Sequence, residues 1–248
     1  MKRERYDLTD EEFAAFVDRS SRILEEQEVP HIIVGGTAVQ AHMLLNLCKK
    51  HNCTIEELVL RDDIRLQDYI RATDDVDMAW KLPKGKDLSE SSRQVLSILD
   101  SFSGEILSPS ENHLIKYTQT RRGIKRPKYR IEINGRSTEE DVIALNISRT
   151  SSDLQKLDSK LYERFIQERK KISIPFCSGY DLKLSVVKPE YLIATKISNS
   201  RPKDTMDLQN LASIFQERGI KIDKDAIHRI LSPKFEKEFA RYLTLTNQ

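Results

Sequence analysis

The chain has 248 residues, 38% hydrophobic and 32% charged, enough for one large domain or two small ones with a real core. Its 41 basic and 39 acidic residues leave a net charge of +2, which excludes a nucleic-acid binder driven by bulk field alone. Eight Gly and eight Pro exclude collagen-like repeats, and three cysteines exclude a disulfide framework, so a reducing compartment is expected. The N-terminal stretch lacks an apolar signal-peptide core, and no apolar run approaches the length of a membrane span. A cytoplasmic protein with no membrane partner is the expectation.

In chain order, Thr9 and Glu12 read as a capping box ahead of a helix over 10–27, whose Phe13, Phe16, Val17, Ile23 and Leu24 recur at helical spacing. "VPHIIVGG" reads as a buried strand entering a tight turn, and a helix is predicted from about Thr37. Thr54 and Glu57 form a second capping box, and the spacing predicts a helix over 54–70. "TDDVDMAWKL" alternates and stops before Pro83, so it reads as a strand. "LSESSRQVLSILDSF" reads as a helix. "HLIKYTQTRR" and "KYRIEING" flank "GIKRP" as a hairpin, and "DVIALNIS" reads as a further strand. Residues 153–170 read as helix. "KLSVVKPEYLIATKI" passes from strand to helix at Pro189, and helices broken near Gly219 and Ser232-Pro233 follow from Asp204. The sum is an α+β chain. Residues 1–150 form a mixed sheet flanked by helices, with a helical insertion at about 51–70. Residues 151–248 form a mainly helical region that completes the site.

Side chains on a strand alternate between faces, so Asp75 and Asp77 share one face and Val76, Met78 and Trp80 the other. Two carboxylates on one face repel unless a cation with a taste for hard oxygen ligands joins them. On this stretch alone, a water-facing edge strand fits as well. Gly35-Gly36, between a strand and a helix that starts near Thr37, would let backbone approach a phosphate and offer it the helix N-terminus. An ordinary strand–helix turn has the same sequence. Glu132, between two isoleucines, is a candidate third carboxylate, and Asp141 is the alternative. Two metals with three acids suit phosphoryl transfer. Asp204 and Asp207 share a helix face, where they either serve a site or complement the helix start. Lys196 either neutralises phosphate or pairs with them. The run "RRGIKRPKYR" is a solvated hairpin turn or a track for RNA phosphates. Cys48, His51 and Cys53 are a zinc-site alternative, but no second Cys/His pair has finger spacing, so they read as ordinary helix-end groups.

Gly35-Gly36, then Asp75 and Asp77, then Glu132 resemble the ordered motifs of the nucleotidyltransferase superfamily with the polymerase-beta-like fold. With Arg71 and Thr73 before the acid pair, and with Lys196, Arg201, Lys203, Asp204 and Asp207 later, the chain looks like the AbiEii-type nucleotidyltransferases of abortive-infection toxin systems and their bacterial relatives. The 39 positions between Gly36 and Asp75 exceed the usual gap by about one helix. The resemblance implies transfer of NMP from an NTP to a hydroxyl of a tRNA 3′ end or a protein. Mg²⁺ (or Mn²⁺) would sit at Asp75, Asp77 and Glu132. Lys196 would stabilise phosphate charge. Gly35, Gly36, Thr37, Arg71, Asp204 and Asp207 would hold the nucleotide, and a cognate antitoxin would be a partner. A catalytically silent nucleotide-sensing or interaction domain is the alternative.

Overall fold

The computed structural model describes residues 10–70, 75–81, 93, 97–98, 104–107, 112–121, 128–133, 136–145 and 153–246. Helix α1 (Asp10–Glu26) buries Phe16, Val17, Ile23 and Leu24. The expected capping residue Thr9 lies outside the described residues. Strand β1 (His31–Val34) is buried along its whole length, and α2 (Gly35–His51) follows it with no linker. This helix starts two residues before the predicted position, because Gly35 takes φ +67° and turns the chain directly off the strand.

Among the described residues the sheet has eight strands. They are β1, β2 (Asp75–Lys81), β3 (Gly104–Leu107), β4 (Asn112–Arg121), β5 (Lys128–Ile133), β6 (Arg136–Leu145), β7 (Lys170–Cys177) and β8 (Tyr180–Val186). Their order is β3-β4-β5-β6-β2-β1-β8-β7. β3 to β6 form an antiparallel meander, β6 runs parallel to β2, and β1 lies antiparallel to β2 and parallel to β8. The β4–β5 pairing is the hairpin that the sequence predicts. Val76, Met78 and Trp80 on β2 are all fully buried, as the alternation of that strand requires.

β7 and β8 lie beyond residue 150 yet continue the same sheet at β1, so the C-terminal region contributes strands to the sheet as well as helices. Asp18 of α1 clamps this edge: it accepts the Tyr180 hydroxyl at 2.6 Å, the Lys183 amide at 3.3 Å and the Arg22 guanidinium at 2.7 Å. Helix α4 is Asp153–Gln167. Glu168, just after it, holds α5 (Pro189–Asn199) through Lys188 at 2.9 Å and Tyr191 at 2.6 Å. Helices α6 (Pro202–Glu217), α7 (Lys224–Ile230) and α8 (Glu236–Thr246) complete the C-terminal region, and α6 packs on α2.

Residues 54–70 are not one helix. The Thr54–Glu57 capping box forms, but α3 spans only Ile55–Val59, and a single 3₁₀ turn follows at Leu66–Asp68. Only Ile55 and Leu58 of α3 are buried, and Leu60 is 81% exposed, so no apolar face extends the helix. Arg61 then closes a two-bond pair on Asp63 at 2.9 and 2.7 Å, which suits a turn. The extra length before the acid pair is therefore a short helix and a loop. Its end is tied to α6, where Asn210 donates to the Tyr69 carbonyl at 2.8 Å.

Candidate active site

The register brings the glycine turn and the acid pair together. Val34, the last residue of β1, lies opposite Asp77, and Gly35 follows at once. A Cβ added to Gly35 would run into Oδ2 of Asp77, with Cγ at 3.0 Å and Cβ at 3.1 Å. Gly35 thus has two reasons to be glycine: a left-handed φ and a carboxylate where its side chain would go. The N-cap residue Val34 offers no side-chain cap and the first turn of α2 carries no acid, so the amides at this helix start form an electropositive end beside Asp77. Gly36 and the buried Thr37 stand in that first turn.

Asp75, Glu132 and Asp141 are placed by backbone register. Asp77 lies directly opposite Asp141 on β6, and Asp75 opposite Glu139. Directly opposed residues share a sheet face and stand ~5 Å apart at Cα. Glu132 lies opposite Ser137, two strands from β2 and four residues along β6 from the partner of Asp77. That displacement puts its Cα ~16 Å from that of Asp77, from ~4.8 Å per strand and ~3.3 Å per residue. The ladder sets two acids beside the pair, Asp141 opposite Asp77 and Glu139 opposite Asp75. The sequence carried a trace of this: Asp141 opens the apolar run Val142–Leu145 much as Asp77 precedes Met78 and Ala79. It could not show that the two strands pair in parallel.

The C-terminal helices bring a second cluster. Lys196 of α5 is 3% exposed, and its Nζ meets Asp207 Oδ2 at 2.6 Å and Asp204 Oδ1 at 3.1 Å. Asp204 also receives two side-chain bonds from Arg201, at 2.6 and 3.1 Å, and the Arg201 amide at 3.3 Å. Burial pushes the Asp204 carboxyl upward, but its bonds to Arg201 and Lys196 outweigh this and hold it below the usual carboxylate range. The Arg201 guanidinium is held charged chiefly by its bond to Asp204, against a desolvation cost, with the fields of Asp204, Asp77 and Asp207 adding. Asp77 therefore lies within electrostatic reach of Arg201, whose side chain is 52% exposed.

The arrangement joins Gly35, Asp77 and the Arg201 end of α6, with Asp75 and Asp141 on the same sheet face. It buries Lys196, Asp204 and Asp207 as a paired group behind Arg201. Arg71 and Thr73 lie outside the described residues. By backbone register Asp75, Asp77, Glu139 and Asp141 share one sheet face, the acidic residue types that hard cations such as Mg²⁺ or Mn²⁺ favour, and the close seat of Gly35 leaves backbone beside Asp77.

No protein-family model and no curated protein matches the chain. Among solved structures it is similar to an antigenic nucleotidyltransferase-like protein from Paracoccidioides brasiliensis, at 15% identity and a TM-score of 0.49 over 96% of this chain and 89% of that one. It is similar to the antibiotic-resistance factor ANT(2'')-Ia at 12% identity and a TM-score of 0.41, over 96% and 97% of the two chains. It is also similar to MenT4, a nucleotidyltransferase toxin from Mycobacterium tuberculosis, at 14% identity and a TM-score of 0.44, over 90% of this chain and 64% of that one.

Proposed function

We propose that this chain is a nucleotidyltransferase that moves NMP from an NTP to an acceptor hydroxyl. The observation that carries the reading is the seat of Gly35 on Asp77, with Asp141 opposite on the neighbouring strand. It joins a phosphate-binding turn and an acid set that are far apart in sequence. Asp75, Asp77 and Asp141 would hold the Mg²⁺ or Mn²⁺ ions, with Asp141 in the place that the sequence pattern gave to Glu132. When bound, those ions supply charge neutralisation for the triphosphate and acidify the acceptor hydroxyl.

The chain's own groups do the rest. The α2 amides after Gly35 orient the β- and γ-phosphates at the helix N-terminus. Arg201, fixed by Asp204, faces the same charge. Lys196 and Asp207 lock Asp204 and so act as struts behind Arg201. The acceptor oxygen attacks the α-phosphorus, the bond from that phosphorus to the α–β bridging oxygen breaks, and pyrophosphate leaves. The hydroxyl proton passes to a carboxylate of the set or to water. The setting implied by the sequence resemblance is a cytoplasmic toxin restrained by an antitoxin, with a tRNA 3′ end or a protein as acceptor.

The test is incubation of the protein with radiolabelled NTP, Mg²⁺ and cell extract. Label should enter an acceptor with the native chain and not with Asp77→Asn. Equal labelling by both would sink the proposal.

A further inference from the structure

The link between α5 and α6 is a corner in which each backbone angle is held by a separate cause. Ser200 takes φ 49° and ψ 28°, the left-handed region that favours glycine. Its amide caps α5 on the Lys196 carbonyl at 3.1 Å, and its hydroxyl donates to the Ile197 carbonyl at 2.6 Å. Arg201 takes φ −78° and ψ 155°, the extended backbone that a following proline favours. Pro202 then opens α6 with its φ fixed by the ring.

Ser200, Arg201 and Pro202 are all exposed, so core packing does not impose this path. A corner that served only to stop α5 would be less strained with glycine, which enters the left-handed region freely. Serine keeps what glycine would lose, the hydroxyl bond that ties the corner to the last turn of α5. Among the described residues, Asn52 and Glu28 also have a positive φ without being glycine. Asn52 is a residue type that accepts it, and Glu28 lies in the turn between α1 and β1. Of the three, Ser200 is the one that adjoins a residue of the candidate site.

The corner aims Arg201. The Nε and Nη2 groups of Arg201 grip Asp204 at 2.6 and 3.1 Å, and Nη1 stays outside that grip. Asp77 acts on the same guanidinium through its field. Lys196 Nζ holds α6 from Asp204 onward, through Asp204 and Asp207. Ahead of those contacts, the Arg201 backbone is set by the corner.

We propose that Ser200 is a positioning residue of the nucleotide site, and that its strained corner sets the direction in which Arg201 meets the triphosphate. This rests on the nucleotidyltransferase reading and adds a residue to that same site. Ser200 does not touch the nucleotide; it acts through Arg201. Backbone strain of this kind persists where the surrounding bonds over-determine it, and here two bonds and a proline do so.

The experiment uses the full chain, the variants Ser200→Gly, Ser200→Asn and Arg201→Ala, and the double variant of Ser200→Gly with Arg201→Ala. Binding of ATP, GTP, CTP and UTP with Mg²⁺ is measured by calorimetry, and melting by a thermal scan. Ser200→Gly should melt within about 2 °C of the native chain, since relief of left-handed strain offsets the lost hydroxyl bond. It should nevertheless bind the preferred NTP about tenfold more weakly, the order of one misaimed charge-assisted hydrogen bond. Ser200→Asn, which accepts the left-handed region and bonds locally, should bind within about twofold of the native chain. In the Arg201→Ala background, Ser200→Gly should weaken NTP binding no further. Native affinity in Ser200→Gly overturns the proposal, as does Ser200→Asn binding as weakly as Ser200→Gly. An equal loss with and without Arg201, or a loss that only follows a lower melting temperature, overturns it as well. A native chain that binds no NTP overturns the nucleotidyltransferase reading, and the proposal with it.

Discussion

Gly35 is the residue on which the site turns, and its role is open to direct test. Gly35→Ala would put a methyl group onto Oδ2 of Asp77 and force an L-residue into φ +67°. The left-handed backbone alone costs ~1–2 kcal/mol. The expected outcome is lower stability by at least that much in chemical denaturation, together with loss of Mg²⁺–NTP binding, because the carboxylate is displaced. Lys196 and Arg201 divide differently. Removing a partner from a buried ion group costs ~3–5 kcal/mol, so Lys196→Ala should unfold several degrees earlier in a thermal scan. Arg201 is half-exposed, so Arg201→Ala should change the melting temperature much less yet weaken NTP binding. Similar melting losses in both variants, with NTP affinity kept in Arg201→Ala, would remove Arg201 from the nucleotide site. The sequence pointed to Asp204 and Asp207 through their spacing. It could not show that both are spent on a buried lysine, since burial is a property of how α5 and α6 cross.

At the scale of elements, β2 was legible because one face is apolar and the other acidic. Val76, Met78 and Trp80 are fully buried, and Trp80→Ala should cost ~3–5 kcal/mol, measurable as a shift of the denaturation midpoint with unchanged slope. The β4–β5 hairpin, the helix after Pro189 and the breaks at Gly219 and Ser232-Pro233 were legible through local punctuation. What was not legible is pairing between distant strands. The β6–β2 parallel ladder and the β1–β8 contact join residues 64 and 153 positions apart, and no local pattern encodes either. That gap is why the sequence puts Glu132, flanked by isoleucines, ahead of Asp141 as third acid, with no sight of the ladder that sets Asp141 opposite Asp77. The 54–70 stretch misled for the opposite reason: its capping box is real, but a good start does not supply a buried face to carry a helix onward.

For the molecule as a whole, the sheet and the C-terminal helices fold as one support for the site, so its stability should respond to acid through buried groups. His42 on α2 is buried, and its Nε2–H donates to the Val187 carbonyl at 2.8 Å. Burial lowers its pKa to about 4. Between about 6.5 and 4 the unfolded chain binds a proton at this imidazole that the folded chain does not, so stability rises with pH across that window and falls on acidification. The full difference is ~3 kcal/mol for a shift of this size. Urea denaturation from pH 7 to 4 should show this loss, and His42→Gln should flatten it. No helix among the described residues is long and apolar enough to cross a membrane. The central claim is that Asp77, seated on Gly35 and faced by Asp141, is the acid of a nucleotidyl-transfer site. It is tested most directly by following radiolabel from NTP into extract RNA and protein, with Mg²⁺, for the native chain, Asp77→Asn and Asp141→Asn. Label is expected with the native chain and none above background with either variant, while Glu132→Gln still labels. Label from Asp141→Asn at the native level, or its loss in Glu132→Gln with fold intact, would contradict it.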